Sequence, residues 1–326
     1  MVFPYSKQYR FILFINAMYC TIGQFLAVDM IGGSVWDCLP YLTNLSETYR
    51  QDTGKTYITG NAGNLRIGIS EHGVSIKGSL AKFYLGTNLH TLTRSDSKRA
   101  FELMADTLHL PVYKAKVTRM DVGHNIMTEY KPELYYPYLG QSPRYTRLTQ
   151  PTSISYQNSQ RSLKAYNKIA ESKKNGVTIP DVFRGKNLLR FEVSYTARLT
   201  KQFNQAVITP DTLTDERFYM GMYDRWYNEY EAIHKVGLTL MDTSKINTPK
   251  DYTDQVLRLV VQEKGLEAFL HHIEVMKEQK VFKHKKYYTD LRNIFKGMAK
   301  AQSIAEQPEL IQELNSKITK AKQYYR

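Results

Sequence analysis

The spacing of apolar residues changes part-way along this 326-residue chain, and this change constrains the fold more than any other feature. Between Asn64 and about Phe203, several segments place apolar side chains at every second position, as in NLRIGIS (64–70) and VSIKGSL (74–80). Period two is typical of strands that bury one face. Beyond Phe203 the spacing becomes helical, and one stripe contains Phe218, Met222, Trp226, Tyr230 and Ile233. We therefore predict an α+β N-terminal domain followed by an all-helical C-terminal domain.

Further elements follow from the same patterns. The segment SDSKRAFELMADTLHL predicts a helix with Ser95 or Asp96 as its N-cap. Further strands are predicted in AKVTRMDVGHN, TSISYQN, SLKAYNK and NLLRFEVSYTARL. Helices are predicted at 253–264, 266–279, 283–300 and 308–325, with Gly265 separating the first two.

The N-terminal segment Phe11–Val28 (FILFINAMYCTIGQFLAV) is mostly apolar and follows Lys7 and Arg10. It resembles a signal peptide or a short membrane span, although Asn16 and Gln24 interrupt it. A third interpretation is an extension that precedes the fold. We favour this one, because the regular domain pattern begins after Met30. The predicted division is an extension at 1–29, a first domain at 30–205 and a helical accessory domain at 206–326.

The charge balance points to a polyanionic partner. The chain carries 45 Lys and Arg against 31 Asp and Glu, a net charge of +14, and it contains 25 tyrosines. Cations that neutralise phosphates release counterions, and aromatic rings stack on bases, so nucleic acid is the first expectation and an anionic membrane surface the second. Cys20 and Cys38 do not form a disulfide framework or a metal-site spacing, which fits a reducing cytoplasm. We expect no obligatory membrane partner.

Three predicted strands carry polar residues at alternate positions. Because alternate residues share a face, VTRMDV places Arg119 with Asp121 and LLRFEV places Arg190 with Glu192. The segment SLKAYNK in the same way places Lys164, Tyr166 and Lys168 together. His124 lies at the end of the first strand.

Such a face suits attack on a phosphodiester. A phenol with a pKa of about 10 needs a nearby cation or metal ion to react at neutral pH, and cations must neutralise the phosphate. Carboxylates with one imidazole are suitable ligands for Mg²⁺ or Mn²⁺. Each motif alone has a simpler interpretation, because Arg-x-Asp on a strand is usually a surface ion pair and a strand tyrosine usually packs.

The order VTRMDV, AYNKIAE, LLRFEV resembles the rolling-circle replication initiators of plasmids and filamentous phages, especially the gene II/gene X type. The resemblance extends over about 30–199 and includes SIKGSLAKFYLGTNLHTLTR (75–94). It implies an antiparallel sheet flanked by helices, and a DNA-nicking enzyme of the HUH endonuclease superfamily.

The resemblance also implies roles for individual residues. Tyr166 would be the nucleophile that stays joined to the 5′ end and leaves a 3′-OH, with Lys168 completing the Tyr-x-Lys motif. Divalent-metal ligands would come from Asp121, Glu192, Glu171 and His124. Contacts to DNA would come from Lys164, Arg119 and Arg190. The superfamily's His-hydrophobic-His motif is absent from the sequence, and related initiators carry an Arg-x-Asp strand in its place.

The implied partners are origin DNA, which is single-stranded at the nick, and the host replication helicase and polymerase. A plasmid mobilisation relaxase and a non-catalytic single-stranded-DNA-binding regulator on the same fold remain alternatives. In the helical part, KVFKHKKYY (280–288) is a candidate for gripping duplex DNA, with a solvated helix face as the alternative.

Overall fold

The structure is a computed structural model that describes residues 19–52, 54–236, 246–300 and 308–323. The chain divides into two compact units. Unit 1 contains Met1–Lys235 and Leu310–Arg326, and unit 2 contains Val236–Glu309. Within the described ranges, no helix is both long enough and apolar enough to cross a membrane.

Unit 1 is built on one ten-stranded sheet whose neighbouring strands are all antiparallel. The spatial order is β2-β3-β4-β5-β1-β6-β10-β9-β8-β7. The strands are β1 (Tyr19–Ala27), β2 (Thr43–Arg50), β3 (Lys55–Ala62), β4 (Leu65–Ser70), β5 (Gly73–Ser79), β6 (Lys116–Thr128), β7 (Thr146–Gln150), β8 (Ser153–Gln157), β9 (Arg161–Asn167) and β10 (Asn187–Tyr195). This confirms the predicted α+β class, and the alternating segments 64–70 and 74–80 form the paired strands β4 and β5.

The first strand corrects the predicted domain start. β1 lies in the middle of the sheet between β5 and β6, although the range 1–29 was expected to precede the fold. The strand is buried or partly buried along its whole length. A strand of this kind is apolar on both faces, so its sequence is difficult to distinguish from a membrane segment. The remainder of the predicted Phe11–Val28 run, 11–18, lies outside the described residues.

Ten α-helices are described. They are α1 (Leu80–Leu85), α2 (Arg94–Leu108), α3 (Lys168–Lys174), α4 (Leu199–Phe203), α5 (Pro210–Thr214), α6 (Glu216–Glu231), α7 (Pro249–Lys264), α8 (Leu266–Glu278), α9 (Lys285–Lys300) and α10 (Glu309–Gln323). The N-cap of α2 is Thr93 rather than Ser95 or Asp96, because Thr93 and Asp96 form a reciprocal capping box.

The apolar face of the sheet forms the main core. Side chains from α2, α6 and α10 join the inward residues of the strands in one continuous cluster. On α6, Trp226 packs its ring against Phe191 of β10 and donates Nε1–H to the Phe191 carbonyl at 3.0 Å. On α10, Ile311, Leu314 and Ile318 are fully buried in the same cluster.

The packing of α6 and α10 on the sheet changes the predicted domain boundary between residues 205 and 206. The helices α6 and α10 belong to unit 1, because their apolar stripes pack in the core of the sheet. Unit 2 is the smaller helical segment between them and contains α7, α8 and α9. Its own interior includes Ile273, Tyr288 and a stacked pair of rings, Phe269 and Phe295, at 4.8 Å.

The opposite face of the sheet is polar along most of its length. At one end a small apolar cluster of Leu89, Phe183 and Leu188 covers it, with Ile169 of α3 packed alongside. Beyond this cluster, exposed or partly exposed side chains include Lys164, Arg119, Lys77 and Arg66. We call this side of the sheet the polar face.

Candidate active site

The strands β6, β10 and β9 bring most of the predicted site residues onto the polar face. Asp121 pairs with Ser194, Glu192 pairs with Gly123 and Lys164, and Arg190 pairs with Tyr166. Directly paired residues point to the same side of a sheet, so these side chains form one group. Gly123 makes room for Glu192, because a Cβ at Gly123 would lie 2.7 Å from the Glu192 Cβ.

The Tyr166 hydroxyl donates a hydrogen bond to Glu192 Oε2 at 3.3 Å. Burial raises the pKa of this phenol well above its usual value, and the nearby Glu192 charge adds to the increase, while Arg190 opposes it. Tyr166 is therefore a protonated phenol in contact with a carboxylate oxygen that can accept its proton. Within the described residues, Glu192 uses only Oε2 for hydrogen bonds.

Arg190 positions the carboxylate. Its Nε donates to Glu192 Oε2 at 2.9 Å, its Nη1 donates to Asn125 Oδ1 at 2.9 Å, and its Nη2 donates to Cys20 Sγ. The side chain is only 2 % exposed. The prediction that Arg190 contacts DNA is therefore wrong for this conformation, because its donors are turned into the protein.

The second acidic residue has a comparable partner. Arg119 donates from Nε and Nη2 to the two carboxylate oxygens of Asp121, each at 2.9 Å. The Asp121 side chain is 6 % exposed, whereas the Arg119 side chain is 35 % exposed. Arg119 is thus accessible to an anion from solvent, as its predicted role requires.

The two lysines of the tyrosine motif occupy different environments. Lys164 is exposed, with Nζ 5.2 Å from the centroid of the Tyr166 ring. Lys168 was expected on the strand, but β9 ends at Asn167, whose side chain caps α3, and Lys168 is the first helical residue. It is fully buried with Nζ 5.9 Å from the Tyr166 ring centroid.

A carboxylate neutralises the buried lysine. Lys168 Nζ donates to Glu171 Oε2 at 2.6 Å, and Asn175 donates to the other oxygen of Glu171 at 2.6 Å. Burial lowers the pKa of Lys168, and the charge of Arg190 adds to this effect. Burial acts to raise the pKa of Glu171, but the bond to Lys168 outweighs it and the pKa lies below its usual value. Both oxygens of Glu171 are engaged, so its predicted role as a metal ligand is not favoured.

His124 does not join the group. It pairs with Phe191 and therefore lies on the apolar face, where its ring centroid is 4.9 Å from that of Trp226. A separation of three residues along a strand reverses the face, so His124 and Asp121 point in opposite directions. The prediction that His124 shares a metal ion with Asp121 is wrong.

Asp121 and Glu192 remain as the predicted ligands for a divalent ion. Asp121 and Glu192 lie diagonally across neighbouring strands on the polar face. Mg²⁺ commonly binds one or two carboxylates, with water and substrate phosphate completing its shell. Glu192 keeps Oε1 without a hydrogen bond among the described residues, whereas both Asp121 oxygens accept from Arg119, so an ion at Asp121 has to displace one of these bonds. No group of three or more acidic, His or Cys side chains suited to a metal occurs in the described part of the chain.

Residues 45–229 match the model of a phage family described as the N-terminal region of a replication-associated protein, the gene II-type protein of filamentous phages. The match covers more than half of the chain. The chain belongs to this family. A search of curated proteins found no match.

The match to the gene II-type family includes β9, β10, and β6 with the group around Tyr166. It confirms the resemblance to gene II-type phage proteins, identifies the chain as a phage replication initiator in general terms, and implies binding to origin DNA. The strand β1 and the helix α10 lie outside the matched residues but complete unit 1.

Two residues of the site escaped sequence reasoning. Asn125 holds Arg190 and also donates to the Leu89 carbonyl at 2.9 Å. Its position, four residues after Asp121 on the same strand, places it on the same face, so strand parity alone would have indicated it. Cys20 lies in the segment assigned to the N-terminal extension, and nothing in the sequence signalled its contact with Arg190.

Proposed function

We propose that the chain initiates rolling-circle replication by nicking one strand of a phage origin through Tyr166. The observation that carries the proposal is the hydrogen bond from the Tyr166 hydroxyl to Glu192 on the polar face, beside Arg119, Asp121 and Lys164. A nucleophile, a proton acceptor and accessible cations thus occur together in a chain of the gene II-type family.

The reaction is a transesterification. The Tyr166 oxygen forms a bond to phosphorus while its proton passes to Glu192 Oε2, and the bond from phosphorus to the 3′ oxygen breaks. The leaving oxygen takes up a proton and becomes the 3′-OH, and the 5′ phosphate stays on Tyr166 as a phosphotyrosyl ester. Because burial keeps the phenol protonated, the reaction needs an acceptor in contact with it, and Glu192 meets this requirement.

Cations of the chain stabilise the phosphate. Lys164 and Arg119 are accessible from solvent and lie on the same face as the nucleophile. A Mg²⁺ or Mn²⁺ ion would neutralise additional charge on the phosphate, held by Glu192 through Oε1 and by Asp121 in exchange for one of its bonds from Arg119. Lys168 would help to stabilise the phenolate through its position near the ring.

The proposal includes the cellular setting. The free 3′-OH would be extended by the host polymerase after the host helicase opens the duplex, so we expect the protein to act in the cytoplasm. Membership of the gene II-type family favours replication over plasmid mobilisation. A non-catalytic regulator on the same fold would bind single-stranded DNA without forming an adduct.

The test is an adduct assay with purified protein, Mg²⁺ or Mn²⁺, and a supercoiled plasmid that carries the DNA flanking the gene. The expected product is a nicked circle joined to protein that resists denaturation by detergent. Tyr166→Phe should abolish the adduct and leave DNA binding near normal. Tyr130→Phe is the matched control, because Tyr130 is 41 % exposed and lies outside the site. An adduct that persists in Tyr166→Phe would overturn the assignment of the nucleophile.

A further inference from the structure

Two like charges face each other on the polar face, in the half of the sheet away from Tyr166. Arg66 of β4 pairs directly with Lys77 of β5, and both are exposed. Like charges at directly opposed positions of an antiparallel pair destabilise the sheet. Neither residue forms an ion pair with a carboxylate in the described part of the chain. The protein therefore keeps an uncompensated cation pair on an open surface.

Directly paired residues form a row that crosses the sheet from strand to strand. In this row, the neighbours of the Arg66–Lys77 pair are uncharged. They are Asn61, which pairs with Arg66, and Gly23, which pairs with Lys77. The carboxylate of this hairpin, Glu71, lies in the turn and binds Lys55 at 2.8 Å. An anion from outside the chain is the partner that would relieve the repulsion.

An aromatic side chain crosses the same surface. Tyr57 of β3 extends across β4, and its hydroxyl reaches to 3.5 Å from Ser75 Oγ on β5. It passes over Gly68, where a Cβ would lie 1.9 Å from the Tyr57 hydroxyl oxygen. Only a glycine at this position leaves room for the end of the Tyr57 side chain above β4. Tyr57 remains 38 % exposed, so it presents an accessible surface on which a base can stack.

The cation pair is aligned with the candidate active site. Lys77 pairs with Gly23, and Gly23 pairs with Arg119, whose guanidinium holds Asp121. A Cβ on Gly23 would lie 3.1 Å from the Arg119 Cβ. Because Gly23 has no side chain, nothing projects from β1 between Lys77 and Arg119 at this position. One row of residues thus connects the paired cations to the Arg119–Asp121 pair.

We propose that β3, β4, β5 and β1 form a binding surface for single-stranded DNA that leads to Tyr166. Arg66 and Lys77 contact phosphates, and Tyr57 stacks on a base. The proposal rests on the proposed function for the identity of the strand, which is the one to be nicked. Single-stranded DNA fits better than duplex DNA, because the exposed Tyr57 ring can stack only on a base that is unpaired and turned outward.

The test measures binding without cleavage. Full-length protein in EDTA is titrated into a fluorescein-labelled oligo(dT), and anisotropy gives the affinity over a range of salt concentrations. Each phosphate contact contributes about 0.7 to the salt slope for single strands, which corresponds to about a five-fold gain in affinity between 1 M and 0.1 M salt. Arg66→Ala/Lys77→Ala should therefore weaken binding about 25-fold at 0.1 M salt and reduce the slope by about 1.4.

The control has the same loss of charge. Lys98→Ala/Arg99→Ala removes two exposed cations from α2, which packs on the apolar face, and should change affinity less than two-fold. Tyr57→Ala should weaken binding at least about five-fold without changing the slope. A double variant of Arg66 and Lys77 that binds as well as the α2 control would overturn the proposal. Equal losses on single-stranded and duplex DNA would overturn its single-strand form.

Stability separates a binding role from a structural one. Lys77→Ala should leave the melting temperature unchanged or raise it by up to about 2–4 °C at low salt, because it removes the repulsion from Arg66. A lower melting temperature would indicate that Lys77 supports the fold, and would contradict the proposal. These measurements do not depend on nicking. A negative adduct assay would therefore contradict the proposed nicking activity without contradicting the binding of DNA to this surface.

Discussion

Replacing Arg190 by methionine is the sharpest test of the way in which the site is held together. The change removes a buried cation while keeping an unbranched side chain in the same space. Glu192 loses its ionic partner, and Asn125 Oδ1 loses a donor. Breaking one side of a buried ion pair costs about 3–5 kcal/mol. The Glu192 side chain is 18 % exposed and keeps the Tyr166 hydroxyl as a donor, so we expect a loss of about 3 kcal/mol, at the low end.

Urea unfolding followed by tryptophan fluorescence measures this loss. Trp226 is buried against β10, directly behind the site, so its emission reports the unfolding of unit 1. The double variant Arg190→Met/Glu192→Leu should be no less stable than Arg190→Met, with a coupling energy of about 2 kcal/mol or more in the double-mutant cycle. A single variant within about 1 kcal/mol of the wild type, with adduct formation intact, would refute the positioning role of Arg190.

Three other perturbations test separate parts of unit 1. Lys168→Met should reduce the rate of adduct formation at least tenfold. The Glu171 carboxylate left behind is 34 % exposed and keeps its bond from Asn175, so the stability should change by less than about 1 kcal/mol. A loss above about 3 kcal/mol in urea would show that the lysine is structural. The folded pKa of Glu171 lies below its unfolded value near 4.3, so its contribution to stability is present above that pH and disappears as the pH falls through the folded pKa. The difference in melting temperature between wild type and Glu171→Gln should therefore shrink between pH 7 and pH 3, and a constant difference would contradict this assignment. Leu314→Ala should lower the free energy of unfolding, followed by Trp226 fluorescence, by about 2–5 kcal/mol, because the side chain is fully buried. In the control Val281→Ala, a side chain of unit 2 that is 53 % exposed, the loss should be less than about 0.5 kcal/mol. Equal effects would argue against placing α10 in unit 1.

Strand periodicity predicted the part of the site that depends on backbone geometry alone. Arg119, Asp121, Arg190, Glu192 and Tyr166 share a face because each strand alternates and the register aligns them. The same rule, applied strictly, would have excluded His124. Lys168 was predicted to lie on β9 but is the first residue of α3. The Asn167 side chain accepts a hydrogen bond from the Ala170 N–H and caps this helix, so the strand alternation ends at Asn167.

Other features depend on contacts between distant parts of the chain. The burial of Arg190 requires Asn125, which is itself bonded to the Leu89 carbonyl, and Cys20 on β1. β1 was assigned to an extension because a strand buried on both faces lacks alternation. The helical stripe of α6 was predicted correctly, but periodicity does not state which surface a stripe covers, so its place on the sheet required the structure.

The position of α10 has a consequence for biosynthesis. Its buried residues complete the core of unit 1, yet the whole of unit 2 precedes it along the chain. A polypeptide still on the ribosome therefore exposes an unfilled apolar surface beside α6 until Leu310 and the residues after it have emerged. Core closure in this initiator consequently follows the synthesis of unit 2, and a chain released before α10 lacks the helix that fills this surface.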